Sequence, residues 1–220
     1  MKKAILFVLA LILLSVITNA SESDKIHLRT GKSSAKNGTC FDEGSHLINL
    51  GVGFGGGSYY SRGLGNGYVY SSLPAFSITY EQCWPKKLGP GYLGIGAYAG
   101  YKTAHSRYDN YYYQGNKYYY EHRWNYMLFA ARAVYHWDVL NSKNAEVYGG
   151  ALVGFRITTY SYSSNSTDPD VNFNKRNDSG FFPVGSLFAG ARWYFVPNIA
   201  LFGEAGYGVS YLTAGVTFKW

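Results

Sequence analysis

The chain has 220 residues, of which only 15% are charged and 19% are aromatic, with 23 Tyr and 27 Gly. Soluble domains carry roughly 25% charged residues, so an ordinary water-facing surface is excluded. A mean hydropathy of −0.17 excludes a bundle of membrane helices, each of which needs about 20 apolar residues. The formal net charge of +7 suits anionic surroundings such as lipopolysaccharide phosphates.

The long apolar run is at the start. Lys2 and Lys3 precede an apolar core from Ala4 to Leu14, and Thr18-Asn19-Ala20 ends it with small residues. That is the pattern of a secretory signal peptide over residues 1–20, cleaved near Ala20. A membrane anchor is disfavoured, because the run is short and Ser21-Glu22-Ser23 follows without a stop-transfer charge cluster. Position 21 is not Cys, so a lipoprotein anchor is not expected. Removal of Lys2 and Lys3 lowers the net charge from +7 to +5. Export also removes nucleic acid as a partner. Residues 21–44 are polar and irregular and read as a flexible periplasmic lead-in.

From residue 45 to 220 the apolar period is two, the period of strands. Eight segments alternate: 46–54, 74–82, 91–102, 124–137, 147–158, 183–195, 199–208 and 211–220. One face carries residues such as Leu50, Ile78, Ile95, Phe129, Val153, Leu187, Leu201 and Val216. The other carries mostly Gly, Ser, Thr and Tyr. A soluble barrel or sandwich would need Lys, Glu and Thr on that second face, whereas small residues suit a narrow lumen. Tyr101, Trp137, Trp193 and Trp220 lie near strand ends, as interfacial girdles do. The predicted fold is therefore an eight-stranded antiparallel transmembrane β-barrel. Long connections at 55–73, 103–123 and 159–182 fit outside loops. Shorter ones, at Cys83-Trp84-Pro85 onward, at 138–146 and at Pro197-Asn198, fit periplasmic turns. The seventh connection, near Val209-Ser210, is also short.

The end of the chain, Thr213-Ala214-Gly215-Val216-Thr217-Phe218-Lys219-Trp220, resembles the terminal-strand signature of outer-membrane barrels. The resemblance implies that Thr213, Gly215, Phe218 and Trp220 form a signal read by the barrel assembly machinery. Over 46–220 the layout resembles small eight-stranded barrels of the OmpX type and the OmpA transmembrane domain. No peptidoglycan-binding domain follows, so an OmpA-like tether is not implied.

Cys40 precedes the first strand and Cys83 follows the second, which places both at the periplasmic end of neighbouring strands. In an oxidising compartment this predicts a disulfide between them. Arg132, Arg156, Arg192 and Glu204 share the lumen-facing parity, with Glu81, Lys102 and Lys219 nearer the strand ends. The cluster fills the lumen by pairing, or its excess of arginine holds an anion or lines an anion conduit.

Catalytic residues are not evident. Lipid A deacylases of this shape carry a His-x-Ser pair, and none occurs here. His105 and Ser106 are adjacent and point to opposite faces of a strand. His122 beside Glu121, and His136 facing inward, read as ordinary polar positions. No cofactor or metal site is expected.

The loops are rich in tyrosine. Residues 103–123 hold Tyr108, Tyr111, Tyr112, Tyr113, Tyr118, Tyr119 and Tyr120 beside Arg107, Lys117 and Arg123, and Tyr59, Tyr60, Tyr68, Tyr70, Tyr160 and Tyr162 lie in the others. They read either as a surface for an extracellular protein or glycan, or as a hairpin with Gly115-Asn116 at its tip that extends two strands above the membrane. The expected function is non-enzymatic, in envelope structure or adhesion. The alternatives are a small channel for anions or apolar molecules and, less favoured, a lipid-modifying enzyme.

Overall fold

The computed structural model describes residues 40–56, 69–140, 142–166 and 178–220. The expected signal peptide, its cleavage site at Ala20, most of the 21–44 lead-in and loop tyrosines Tyr59, Tyr60 and Tyr68 lie outside these residues. The elements are β1 (His46–Phe54), β2 (Val69–Ser72), β3 (Ala75–Leu88), β4 (Gly91–Tyr113), β5 (Asn116–Trp137), β6 (Ala145–Ser164), β7 (Asp178–Val196), β8 (Ile199–Gly206) and β9 (Leu212–Lys219). β2 is a short segment set off from β3 at Leu73-Pro74 and paired with β4. The remaining eight strands pair each with the next, and β1 pairs with β9, so the sheet closes as an antiparallel ring. At the seam, His46 and Trp220 exchange backbone hydrogen bonds of 3.0 and 3.1 Å. This is the eight-stranded barrel the alternation predicts, with all eight segments on the expected parity.

The outward face is apolar and uncovered: Leu50 is 47% exposed, Val153 68% and Leu187 77%. An uncovered hydrocarbon belt of this kind is tolerable only against lipid. Trp84, Trp137, Trp193 and Trp220 point outward at the periplasmic end, and Tyr101 does so at the other. Closed ring, apolar belt and aromatic edges define a small outer-membrane-type β-barrel.

The wall is uneven in height. β8 and β9 have 8 residues each, whereas β4 has 23 and β5 has 22. A strand of that greater length reaches about 75 Å, far beyond an apolar band ~25 Å tall. Segments expected as loops are therefore strand: the 103–123 connection is the upper part of β4 and β5, and 159–164 continues β6. The hairpin tip also differs from expectation. Tyr113 pairs with Asn116, so the two-residue turn is Gln114-Gly115, with φ of 50° and 82°. Positive φ at both positions is the type I′ form, whose twist matches that of the flanking strands, and it sets the turn one residue earlier than Gly115-Asn116. At the other end, Cys83-Trp84-Pro85 is not a turn. β3 runs on to Leu88 through an irregularity between Cys83 and Lys87, where Pro85 needs no ladder partner.

A candidate functional site in the barrel lumen

The periplasmic half of the lumen is closed by an ionic network. Arg132 grips Glu204 with two parallel hydrogen bonds, Nη1 to Oε1 at 3.0 Å and Nη2 to Oε2 at 2.6 Å. Its Nε lies 3.1 Å from Glu81 Oε1. Arg192 Nη1 donates to Glu146, its Nη2 is 3.6 Å from Glu81, and its Nε donates to Thr217 at 3.0 Å. Asn49 joins the two sides, donating to Glu81 at 3.1 Å and accepting from Thr217 at 2.7 Å. The His136 ring sits between Glu81 and Glu146, at 3.4 and 3.5 Å. The rings of Phe188 and Tyr148 back the two guanidiniums at 3.9 and 4.7 Å. Bidentate geometry and flanking rings are what a guanidinium needs when water is removed. Arg132, Arg192 and Glu81 are all at most 2% exposed.

The chain before β1 stoppers this network from below. Phe41, 2% exposed, stacks on His136 with ring centroids 3.8 Å apart. Lys219 Nζ donates to the Cys40 carbonyl at 3.0 Å. The crossing explains why the expected disulfide is not formed: both cysteines are free thiols. Cys40 is carried to the far wall, where it packs with Tyr194 and Ala200 and donates to the Ser142 carbonyl at 3.1 Å. Cys83 stays with Phe41 and Leu47 and faces the Trp84 carbonyl. Burial, reinforced by Glu146, pushes the Cys40 thiol up to about 12.

The four expected lumen charges divide. Arg132, Arg192 and Glu204 join the network together with Glu81, while Arg156 stands apart. Its rung on β6 meets Leu128 and Phe182, and its guanidinium lies 5.5 Å from the Phe182 ring. The expected excess of arginine over acid is thus corrected, because Glu81 and Glu146 lie at the centre. Glu146 shares the parity of Tyr148 and lies one residue before the segment read as a strand; extending the alternation by that residue finds it.

Above the membrane the sheet has two polar faces. On the lumen side the Tyr108 and Tyr120 rings stack at 5.1 Å, and His122 Nδ1 lies 2.6 Å from the Tyr160 hydroxyl. On the outer side Arg107 lies 4.0 Å from the Tyr119 ring and pairs with Asp109, and Arg123 pairs with Glu121 at 2.8 Å. Ser106 is buried and its neighbour His105 is on the opposite face; His122 and Glu121 are likewise divided. In the terminal strand Thr213 bonds Ser210 at 3.0 Å, while Phe218 and Trp220 face outward and Trp220 stacks on His46. Gly215 allows the seam to close, since a Cβ there would collide with the Leu50 carbonyl oxygen.

No protein-family model and no curated protein sequence matches the chain. Among solved structures it is similar to Ail, the attachment invasion locus protein of Yersinia pestis, crystallised with the heparin analogue sucrose octasulfate. The identity is 12% over 81% of this chain and 99% of that one, with a TM-score of 0.43. The N-terminal β-barrel domain of Pseudomonas aeruginosa OprF matches at 12% identity over 82% and 100% of the two chains, TM-score 0.39. Ail in a phospholipid nanodisc matches at 14% identity over 81% and 100%, TM-score 0.36.

Proposed function

We propose that this chain is an exported outer-membrane barrel that acts through its surface, in envelope structure or in contact with an extracellular protein or glycan, and that it neither conducts solute nor catalyses a reaction. The observation that carries this reading is the closed floor. Arg132, Arg192, Glu81, Glu146 and Glu204 bond across the lumen, and Phe41 caps them. Ion pairs with this geometry leave no polar path along which a solute could shed its water. What remains for action is the tall sheet of β4–β7, whose tyrosines offer contact area at low entropic cost. The lipid of the outer membrane and lipopolysaccharide surround the belt, and Thr213, Gly215, Phe218 and Trp220 serve the assembly machinery before insertion.

Planar-bilayer recording of the purified barrel tests this. The expected trace is flat, and reproducible single-channel steps would refute the sealed lumen. Incubation with lipid A and with phospholipid, followed by mass analysis, is expected to return both unchanged.

A further inference from the structure

We propose that the extracellular half of the lumen is an anion-binding vestibule, in which Arg156 takes the carboxylate or phosphate of a small ligand entering from outside while an apolar face of that ligand lies on Phe182.

The argument starts from charge. Among the described residues no carboxylate comes within ion-pair distance of Arg156, in contrast to Arg132 and Arg192. Its Nε is buried with no hydrogen-bond partner among the described residues, and its guanidinium lies over the Phe182 ring. A guanidinium so placed lacks the planar acceptor its fork is shaped for. Arg156 is four residues further up β6 than Leu152, which shares a rung with Arg132, so it sits about 13 Å along the strand from the closed floor. The next lumen-facing rung above it holds Thr158, Tyr126 and Lys102. Lys102 is held by the carbonyls of Gly55 and Gly56. Carbonyls orient its ammonium without cancelling its charge, so two cations act on this part of the lumen.

The second observation is apolar. Phe182 has lumen parity, yet it is 43% exposed, whereas Phe188, three lumen steps below, is 6% exposed. An open ring beside a guanidinium without an acid, above a sealed floor, is a concave site with one polar anchor and one apolar wall. The site is a dead end: a ligand binds and leaves by the same mouth. It is independent of the surface role proposed above.

The test uses the purified full barrel in a zwitterionic detergent, titrated calorimetrically with phenyl phosphate, benzoate, inorganic phosphate and, as the neutral control, benzyl alcohol. Phenyl phosphate and benzoate are expected to bind in the millimolar range, inorganic phosphate more weakly, and benzyl alcohol without saturation. Arg156→Gln is expected to weaken both aromatic anions by about tenfold or more, the scale of one charged hydrogen-bonded contact. Phe182→Ser is expected to weaken phenyl phosphate while leaving inorganic phosphate unchanged. Benzoate and phenyl phosphate separate a carboxylate source from a phosphate one. Because a variant can fail to fold, phenylglyoxal modification of the unaltered protein supplies a second readout. Arg156 is expected to react faster than Arg132 and Arg192, and phenyl phosphate is expected to protect it. Absence of binding by all the anions, binding unaltered in Arg156→Gln, or modification of Arg156 at the same rate with and without phenyl phosphate each refutes the vestibule.

Discussion

In the periplasmic half of the lumen both guanidiniums touch carboxylates, whereas Arg156 in the extracellular half touches, among the described residues, a ring and no acid. Arg156 on β6 lies between Arg132 on β5 and Arg192 on β7, and all three share the lumen face. A sequence gives them one appearance, and partners give them different consequences. A buried, fully paired arginine is part of the wall: its removal strands the acids around it. An arginine with free donors and water at hand contributes little to folding and is available for binding. Substitutions that separate these cases come first.

Glu81→Gln is expected to have the largest effect. Glu81 is 0% exposed and lies within 3.1 to 3.6 Å of Arg132, His136 and Arg192. Removing the charge leaves two guanidiniums short of a partner, at a cost of about 3–5 kcal/mol. Urea unfolding of the refolded barrel, followed by tryptophan fluorescence, would show it. The same measurement on Arg156→Gln is expected to move stability by less than about 0.5 kcal/mol. Equal losses at the two positions would erase the distinction between floor and vestibule.

Gly215→Val comes next. The added carbons meet the Leu50 carbonyl oxygen and the Gly51 Cα across the β1–β9 seam, and backbone cannot swing aside as a side chain can. Overpacking of that kind costs about 1–3 kcal/mol. The loss is expected in refolding from urea into detergent, where no assembly machinery is present. A variant that refolds normally in vitro and fails only in cells would give Gly215 to the assembly signal alone.

Gly115→Ala is expected to act locally. Gly115 sits at φ 82° with nothing within 4 Å of a built Cβ, so the penalty is conformational, about 1 kcal/mol. Since the tip of β4–β5 stands clear of the membrane, faster amide exchange is expected over 111–118 with the urea midpoint unchanged. A shifted midpoint would mean that the protruding sheet and the embedded ring unfold as one unit.

How much of this could be read beforehand depends on range. The lumen parity of Arg132, Arg192 and Glu204 follows from a period of two, which is local, and so do the eight strands of the ring; β2, inside the 55–73 connection expected as a loop, does not. Glu146 lies one residue outside the alternating segment 147–158, so the period of two does not reach it. The height of β4 and β5 is one of two readings the sequence leaves open, because tyrosine, glycine and asparagine suit both loops and exposed strand; cross-strand pairs such as Tyr108 with Tyr120 decide it, and they are not local. That Arg156 lacks an acid depends on which strands face each other across the lumen. No spacing along the chain records that.

The cysteines make the smallest prediction and the sharpest one about the floor. Nearness in topology pointed to a bridge, but the crossing of residues 40–45 beneath the barrel separates the thiols into two apolar clusters. A thiol raised to about 12 stays protonated at pH 8, and the thiolate is the reactive form. In the folded barrel Cys40 is therefore expected to react with maleimide very slowly at pH 8. After urea unfolding without reductant, two thiols per chain are expected to label at once. Cys40→Ser is expected to leave gel mobility unchanged with or without reductant. Fewer than two labelled thiols in urea would mean that the cysteines are bridged after all. Phe41 would then be held over His136 by a covalent strap rather than by packing alone.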